Sequence, residues 1–211
     1  VCLDLNGKKI WQTTTGKIWY RSYTSPRSTP TYVKGEDKLV VQTGMGEVYC
    51  LSTKNGRLLW KKDVVEIYEG RPGRFGYSES LVVKDGKVFA TVCGRKVSVV
   101  ALNIKDGSVA WEAPSNGDKC AYATPILHEN LLIVFTSAYL FAIDTRSGKI
   151  IWKTNYAEIT EGRRKGNNCN TPLLKGDRLF VTAGYNQGGV MYKILPENKG
   201  VKLLRMILDL D

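Results

Sequence analysis

The segment Val99-Val-Ala-Leu-Asn-Ile-Lys-Asp-Gly-Ser-Val-Ala-Trp111 reads as an apolar strand, a polar turn and a second strand that ends on tryptophan. Leu140-Phe-Ala-Ile-Asp-Thr-Arg-Ser-Gly-Lys-Ile-Ile-Trp152 repeats that pattern in phase. Gly-x-x-x-Trp also occurs upstream, from Gly7 to Trp11 and from Gly56 to Trp60. With Gly107–Trp111 and Gly148–Trp152, the four tryptophans stand 49, 51 and 41 residues apart. A fifth, degenerate copy, Gly200-Val-Lys-Leu-Leu204, carries Leu in place of Trp. Self-similarity at ~40–50 residues is the period of propeller blades. Asn6-Gly7, Asn55-Gly56 and Asp106-Gly107 predict tight type I′ hairpins, in which both central residues take positive φ.

Around each turn the strands also repeat. Glu47–Leu51, Val97–Leu102 and Tyr139–Ile143 precede the turns, and two further strands lie upstream in each unit, as in Thr124–Leu127 and Leu131–Thr136. Four strands of 4–8 residues per period, rich in Val, Ile and Leu and bounded by Gly, Asp and Asn, make one antiparallel blade. The fold class expected is therefore all-β, a β-propeller of four-stranded antiparallel blades. The blades fall at about 28–63, 77–113, 122–155 and 170–208, preceded by a half-blade at 1–20. About four and a half units fit the length at this period. A propeller hides its sheet edges by closing its ring, so this count implies further blades beyond the sequence.

Composition sets outer limits. The chain has 211 residues, 43% hydrophobic and 24% charged, which is globular rather than disordered. Leu131–Phe135 is the longest apolar run, far short of the ~20 residues that span a bilayer. No secretory signal pattern is visible at the start. Formal net charge is +11, but Lys and Arg are spread over every unit and no nucleic-acid-binding motif occurs, so nucleic acid is not assigned as a partner.

One tryptophan per blade, in an outer strand, points to packing between neighbouring blades with the indole N–H satisfied there. Cys50, Ala101 and Ala142 each lie ten residues before their Trp, and Cys2 lies nine before Trp11. That slot takes a small, half-apolar residue, which a free thiol resembles. Cys120 and Cys169 hold equivalent places before an inner strand, too far apart for a disulfide. No Cys-x-x-Cys suggests zinc, and the single histidine, His128, at a strand-to-turn junction, reads as a solvated turn residue rather than the base of a Ser-His-Asp arrangement, with no second histidine for a metal pair. Asp144 suits a side-chain-capped turn. No catalytic residue and no metal ligand is assigned.

The candidate binding residues lie in two long connections. Glu66-Ile-Tyr-Glu-Gly-Arg71 and Glu158-Ile-Thr-Glu-Gly-Arg163 each begin six residues after a tryptophan and continue into Arg74-Phe75 and Arg164-Lys165. Both run from an outer strand to the next inner strand and so share the face around the channel mouth. Arg71, Arg74, Arg163 and Arg164, with Tyr77 and Tyr122, would form a basic rim bearing aromatic rings, suited to an anion or a partner. The same arginines would alternatively pair with Glu66, Glu69, Glu158 and Glu161 as ordinary surface. A sugar-binding use of the 11 tyrosines is a further alternative.

The two copies quoted first resemble the pyrroloquinoline-quinone-type propeller repeat, an Ala-Leu-Asp turn followed by Gly and Trp, over almost the whole chain. Members include quinoprotein alcohol dehydrogenases, the non-enzymatic lipoprotein of the outer-membrane β-barrel assembly machinery, and many uncharacterised periplasmic proteins. The stretch from Gly76-Tyr-Ser-Glu-Ser80 through Cys120-Ala-Tyr-Ala-Thr-Pro125 is most similar to that last group. The resemblance implies an eight-bladed ring, a periplasmic or outer-membrane setting that for some members includes a lipid anchor, and a protein or polymer partner without a cofactor. The dehydrogenase branch implies instead pyrroloquinoline quinone and calcium under a vicinal Cys-Cys disulfide, and no Cys-Cys pair occurs here.

Overall fold

The computed structural model describes residues 1–24, 27–160, 167–184 and 187–207. Its strands assemble into one two-stranded and four four-stranded antiparallel sheets, each drawn from consecutive chain. The pair is β1 (Cys2–Leu3) with β2 (Lys9–Trp11). The first full blade is β3 (Thr31–Val33), β4 (Lys38–Gln42), β5 (Glu47–Ser52) and β6 (Leu58–Asp63). After a short helix α1 (Val64–Tyr68) come β7 (Val82–Lys84), β8 (Lys87–Thr91), β9 (Val97–Asn103) and β10 (Val109–Pro114). The third blade is β11 (Ile126–His128), β12 (Leu131–Phe135), β13 (Tyr139–Asp144) and β14 (Ile150–Asn155), and α2 (Tyr156–Ile159) follows it. The fourth is β15 (Leu173–Lys175), β16 (Arg178–Thr182), β17 (Gly189–Ile194) and β18 (Val201–Ile207). The architecture is a partial β-propeller.

Burial follows strand order. The third strand of a blade is covered on both faces, and in β9 every residue from Val97 to Leu102 is buried. A continuous apolar run, rather than an alternating one, is what such a strand requires. Outer strands are largely exposed: in β6 and β14 the one buried residue is the tryptophan, Trp60 or Trp152. Three apolar cores fill the spaces between adjacent four-stranded blades. Val40 and Val48 meet Val88 and Val100, Phe89 and Val99 meet Leu132 and Phe141, and Ile133 and Leu140 meet Leu179 and Val190.

Trp11, Trp60 and Trp111 each reach forward into the next repeat. The indole Nε1 of Trp11 donates to Thr53 O at 2.8 Å, Trp60 to Ile104 O at 3.0 Å and Trp111 to Thr145 O at 2.9 Å. The ring lies flat on the glycine of that same turn. A Cβ on Gly56, Gly107 or Gly148 would approach the ring of Trp11, Trp60 or Trp111 to 2.4, 2.7 or 2.8 Å. The Gly and the Trp of one repeat thus serve different interfaces. The small slot is explained as well, since Cys2, Cys50, Ala101 and Ala142 sit directly across the strand pair from Trp11, Trp60, Trp111 and Trp152. A β-bulge precedes each of these tryptophans, where the register shifts by one residue, and it turns the ring toward the neighbour.

Two expectations change in detail. The hairpins are not type I′, because Asn6, Asn55 and Asp106 do not take positive φ, whereas Gly7, Gly56 and Gly107 do. The Gly56, Gly107 and Gly148 amides instead donate to the carbonyl four residues back, on Ser52, Asn103 and Asp144. Asn55 and Asp106 cap the turn by accepting from the amides of Arg57 and Ser108, and Asp144 does the same for Arg146 and Ser147. In the fourth blade, register places Arg205 opposite Met191, the position that tryptophan holds elsewhere, with Leu204 skipped at the bulge. The turn there is longer, built on a 3-10 turn at Pro196–Asn198 with Glu197 and Asn198 left-handed. Trp152, which faces it, is buried with its Nε1 unpartnered among the described residues.

Candidate functional site

Strand direction fixes one face. In an up-and-down blade the second-to-third hairpin and the connection from the fourth strand to the next blade lie on the same side, and the Gly-turn hairpins lie on the other. On the first side, the connection after β6 opens as α1, capped by Asp63, whose Oδ1 accepts from Glu66 N at 3.0 Å. The connection after β14 opens in the same way as α2, where Asn155 Oδ1 accepts from Glu158 N at 3.3 Å. The Asp and Asn at these caps are the residue types that satisfy the first free amides of a helix.

The six candidate residues separate into four groups. Arg71 binds the adjacent β8–β9 hairpin, with Nε donating to Cys93 O and Nη2 to Gly94 O, both at 3.4 Å. Tyr77 lies in the interior, 2% exposed, with its hydroxyl donating to Val92 O at 2.8 Å, and burial raises its pKa far above the usual phenol range. Arg74 and Tyr122 meet on one surface feature. Arg163 and Arg164 lie outside the described residues.

That feature is centred on Phe75. The Tyr23 ring stacks with it at 6.0 Å between centroids, and Tyr122 tilts against its other side at 5.6 Å. The Phe75 amide donates to the Tyr122 hydroxyl at 3.3 Å. Two guanidinium groups lie against the Phe75 ring, Arg74 at 5.7 Å and Arg27 at 5.9 Å. Arg27 is fixed by donation to the Phe75 carbonyl and, at 2.7 Å, to the Tyr23 carbonyl. Neither Arg27, Arg71 nor Arg74 forms an ion pair with a described residue, whereas Glu69 pairs with Arg95 at 3.6 Å. Partial burial raises the Tyr122 pKa, so its hydroxyl stays protonated at neutral pH. The result is a row of three rings from separate connections, edged by two positive charges, of which Arg27 is held by hydrogen bonds. Such surfaces attract carboxylates and aromatic or apolar side chains together.

Sequence spacing did not single out Phe75, Arg27 or Tyr23. Phe75 could have been found from its place between Arg74 and Gly76, but Arg27 and Tyr23 belong to a connection with no equivalent elsewhere in the chain. Behind the platform lies a buried group of which the sequence marked Tyr77 and Cys120 but neither Cys93 nor Glu79. Tyr77, Cys93 and Cys120 pack together, and Glu79, wholly enclosed, accepts from Thr91 N at 2.6 Å. Burial pushes the Glu79 carboxyl up to about 8, and the Thr91 amide only partly offsets this. Cys169, by contrast, is exposed, so the two cysteines with equivalent sequence positions differ in environment. His128 is the last residue of β11, half-buried.

A cavity of about 350 Å3 lies between the β1–β2 pair and the first four-stranded blade, lined by Trp11, Trp19, Leu39, Val41 and Gln42. The Gln42 carboxamide is buried there with both its oxygen and its nitrogen unpartnered among the described residues. Among the described residues, no three His, Cys, Asp or Glu side chains converge as a metal-binding group, and no helix is long and apolar enough to cross a membrane.

This fold and its tryptophan-on-glycine repeat define a quinoprotein-type propeller. The chain belongs to the family described as outer membrane protein assembly factor BamB, whose profile matches residues 1–203. Outer membrane protein assembly factor BamB of Yersinia pestis is 28% identical over 155 residues, covering 70% of this chain and 36% of that protein. A polyvinylalcohol dehydrogenase of a Pseudomonas species is 26% identical over 177 residues, covering 74% and 28%. The chain thus spans about a third of the length of these curated relatives. Among solved structures, BamB from Moraxella catarrhalis superimposes with a TM-score of 0.64 at 15% identity, covering 95% of this chain and 53% of that one. Quinohemoprotein alcohol dehydrogenase from Comamonas testosteroni does so with 0.61 at 14%, covering 89% and 36%. At these identities the structural likeness concerns the fold.

Proposed function

We propose that this chain is part of a non-catalytic binding propeller that holds a protein partner at its channel-mouth loops, in the periplasm or against the outer membrane. The observation that carries the reading is the Tyr23–Phe75–Tyr122 row with Arg27 fixed and Arg74 lying beside it, neither paired with a carboxylate among the described residues. Charge and aromatic area presented together on a rigid scaffold suit a hot spot for a partner segment. Arg163 and Arg164, from the equivalent connection two blades on, extend the proposed basic rim. Arg71 contributes by holding the β8–β9 hairpin in place. Family membership supports a scaffold role.

The test is capture of outer-membrane and periplasmic proteins by the intact protein, compared with an Arg74→Ala, Arg163→Ala, Arg164→Ala variant. Capture is expected to fall at least tenfold, about 1.4 kcal/mol, with an unchanged melting temperature. Undiminished capture would remove the loops from the function.

The match to a dehydrogenase favours a second reading, a quinone-dependent alcohol or sugar dehydrogenase. The residues described do not fit its cofactors: no two cysteines are adjacent in sequence, and no acidic cluster is placed to hold calcium. Dye-linked alcohol oxidation by the intact protein with added quinone and calcium would revive it.

A further inference from the structure

The buried cluster behind the aromatic row joins two cysteines that no repeat relationship connects. Cys93 lies in the β8–β9 hairpin of the second blade, and Cys120 lies in the connection that leads to the third. The two thiols pack together with Tyr77, at 1% and 3% exposure. Cys120 Sγ donates to Thr91 O at 3.6 Å, and the Cys120 amide donates to Arg71 O at 3.3 Å. The Arg71 side chain in turn donates to the carbonyl of Cys93. One residue thus positions both backbones. Cys93 is also held at φ 43, in the left-handed region that glycine fills without strain. A strained non-glycine residue at a hairpin bulge is a reason to look for what its side chain does there.

We propose that Cys93 and Cys120 are a covalent cross-linking site, forming a disulfide that staples the second blade to the third at the inner side of the ring. The bond forms by thiol–disulfide exchange with a small disulfide oxidant such as oxidised glutathione. One thiolate attacks the oxidant, a mixed disulfide forms, and the second thiolate displaces the glutathione thiolate. The cysteines together lose two electrons and two protons, and one oxidised glutathione becomes two thiols. In the closed fold both sulfurs are shielded and burial raises both thiol pKa values. The exchange therefore belongs to folding, before the blades close. Once made, the bond is shielded from reductants in the same way. Cys2 and Cys50 face tryptophans in other blades, and Cys169 is exposed, so the pairing is specific.

The proposal is independent of any partner at the loops. Its test is to refold the intact protein in a glutathione redox buffer, then unfold it without reductant, alkylate it and map its peptides. The Cys93 and Cys120 peptides are expected to be joined, two hydrogens lighter than their sum, with Cys2, Cys50 and Cys169 alkylated. Alkylation of both Cys93 and Cys120, or a link from Cys120 to Cys169, would overturn it. A second measurement requires no variant to survive unaltered. Reductant added before folding should lower the melting temperature of the wild-type protein by on the order of 10 °C, and leave that of the Cys93→Ala, Cys120→Ala protein unmoved. Equal melting temperatures for oxidatively and reductively folded wild-type protein would also overturn it.

Discussion

Replacing Gly107 by alanine tests whether the tryptophan–glycine contact holds the blades together. Two costs arise at this position. The backbone sits at φ +73, so any side chain is strained, by about 1 kcal/mol. In addition the new methyl would lie 2.7 Å from Trp60 Cε3 and 2.8 Å from Cδ2, well inside contact distance. The indole cannot simply tilt away, since its Nε1 is bonded to Ile104 O at 3.0 Å in the same turn. Relieving the overlap means separating the first and second blades locally, an overpacking cost of about 1–3 kcal/mol. Gly86→Ala supplies the control: it has φ +69 in the same blade, but a Cβ there meets nothing within 4 Å. The loss of chain entropy in the unfolded state is the same for both substitutions and cancels. In urea and thermal unfolding, Gly86→Ala should lower the melting temperature by about 3 °C and Gly107→Ala by roughly 10 °C. Equal losses at the two sites would show that the ring does not bear on the glycine, and would refute the packing scheme built on it.

The tryptophans themselves give a second comparison. Trp111→Phe leaves the Thr145 carbonyl without its donor and should cost about 1–3 kcal/mol beyond the change in ring size, whereas Trp152→Phe removes an indole N–H with no described partner and should cost distinctly less. Equal destabilisation in chemical denaturation would count against this. A third outcome concerns Glu79. Its folded pKa of about 8 lies above the ordinary carboxyl value of 4.5, so the folded state holds a proton that the unfolded chain releases. Stability from this group is fully present below pH 4.5 and is lost as pH rises to about 8, by as much as about 5 kcal/mol. Its titratable neighbours Tyr77, Cys93 and Cys120 all have raised pKa values and stay neutral across this window. Glu79→Gln should therefore be more stable than wild type at pH 8 and differ little at pH 4.5. Parallel stability–pH curves for the two proteins would exclude Glu79 as the source.

The blades were legible because each records its geometry locally. Short apolar strands, Asx-Gly turns and a tryptophan at fixed spacing recur from unit to unit, and small residues such as Ala101 and Ala142 betray the ring across from them. What the repeat hid was direction, since spacing alone cannot say that Gly107 serves Trp60 rather than its own Trp111. The turn type was misjudged because Asp-Gly suits two geometries, and only the amide bond from Gly107 to Asn103 O separates them. The fourth blade escaped the pattern because its turn is longer: Arg205, opposite Met191, lies 14 residues after it, whereas Trp152 lies 10 after Ala142. The binding platform was legible only in part. Arg74 and Tyr122 stood out by charge and ring, but their meeting at Phe75 depends on connections about 50 residues apart folding against each other, and the junction of Cys93 with Cys120 likewise joins segments 27 residues apart.

The forward reach of the Trp11, Trp60 and Trp111 indoles also gives the molecule an assembly order. As the polypeptide leaves the ribosome, Trp60 has no seat until the turn at Ile104–Gly107 follows it out, and Trp111 waits likewise for Thr145–Gly148. Each sheet is thus secured one repeat late, and the growing end always presents an unlatched ring. Latching proceeds like a ratchet from the amino terminus, with the newest unit serving as lock for the one before it.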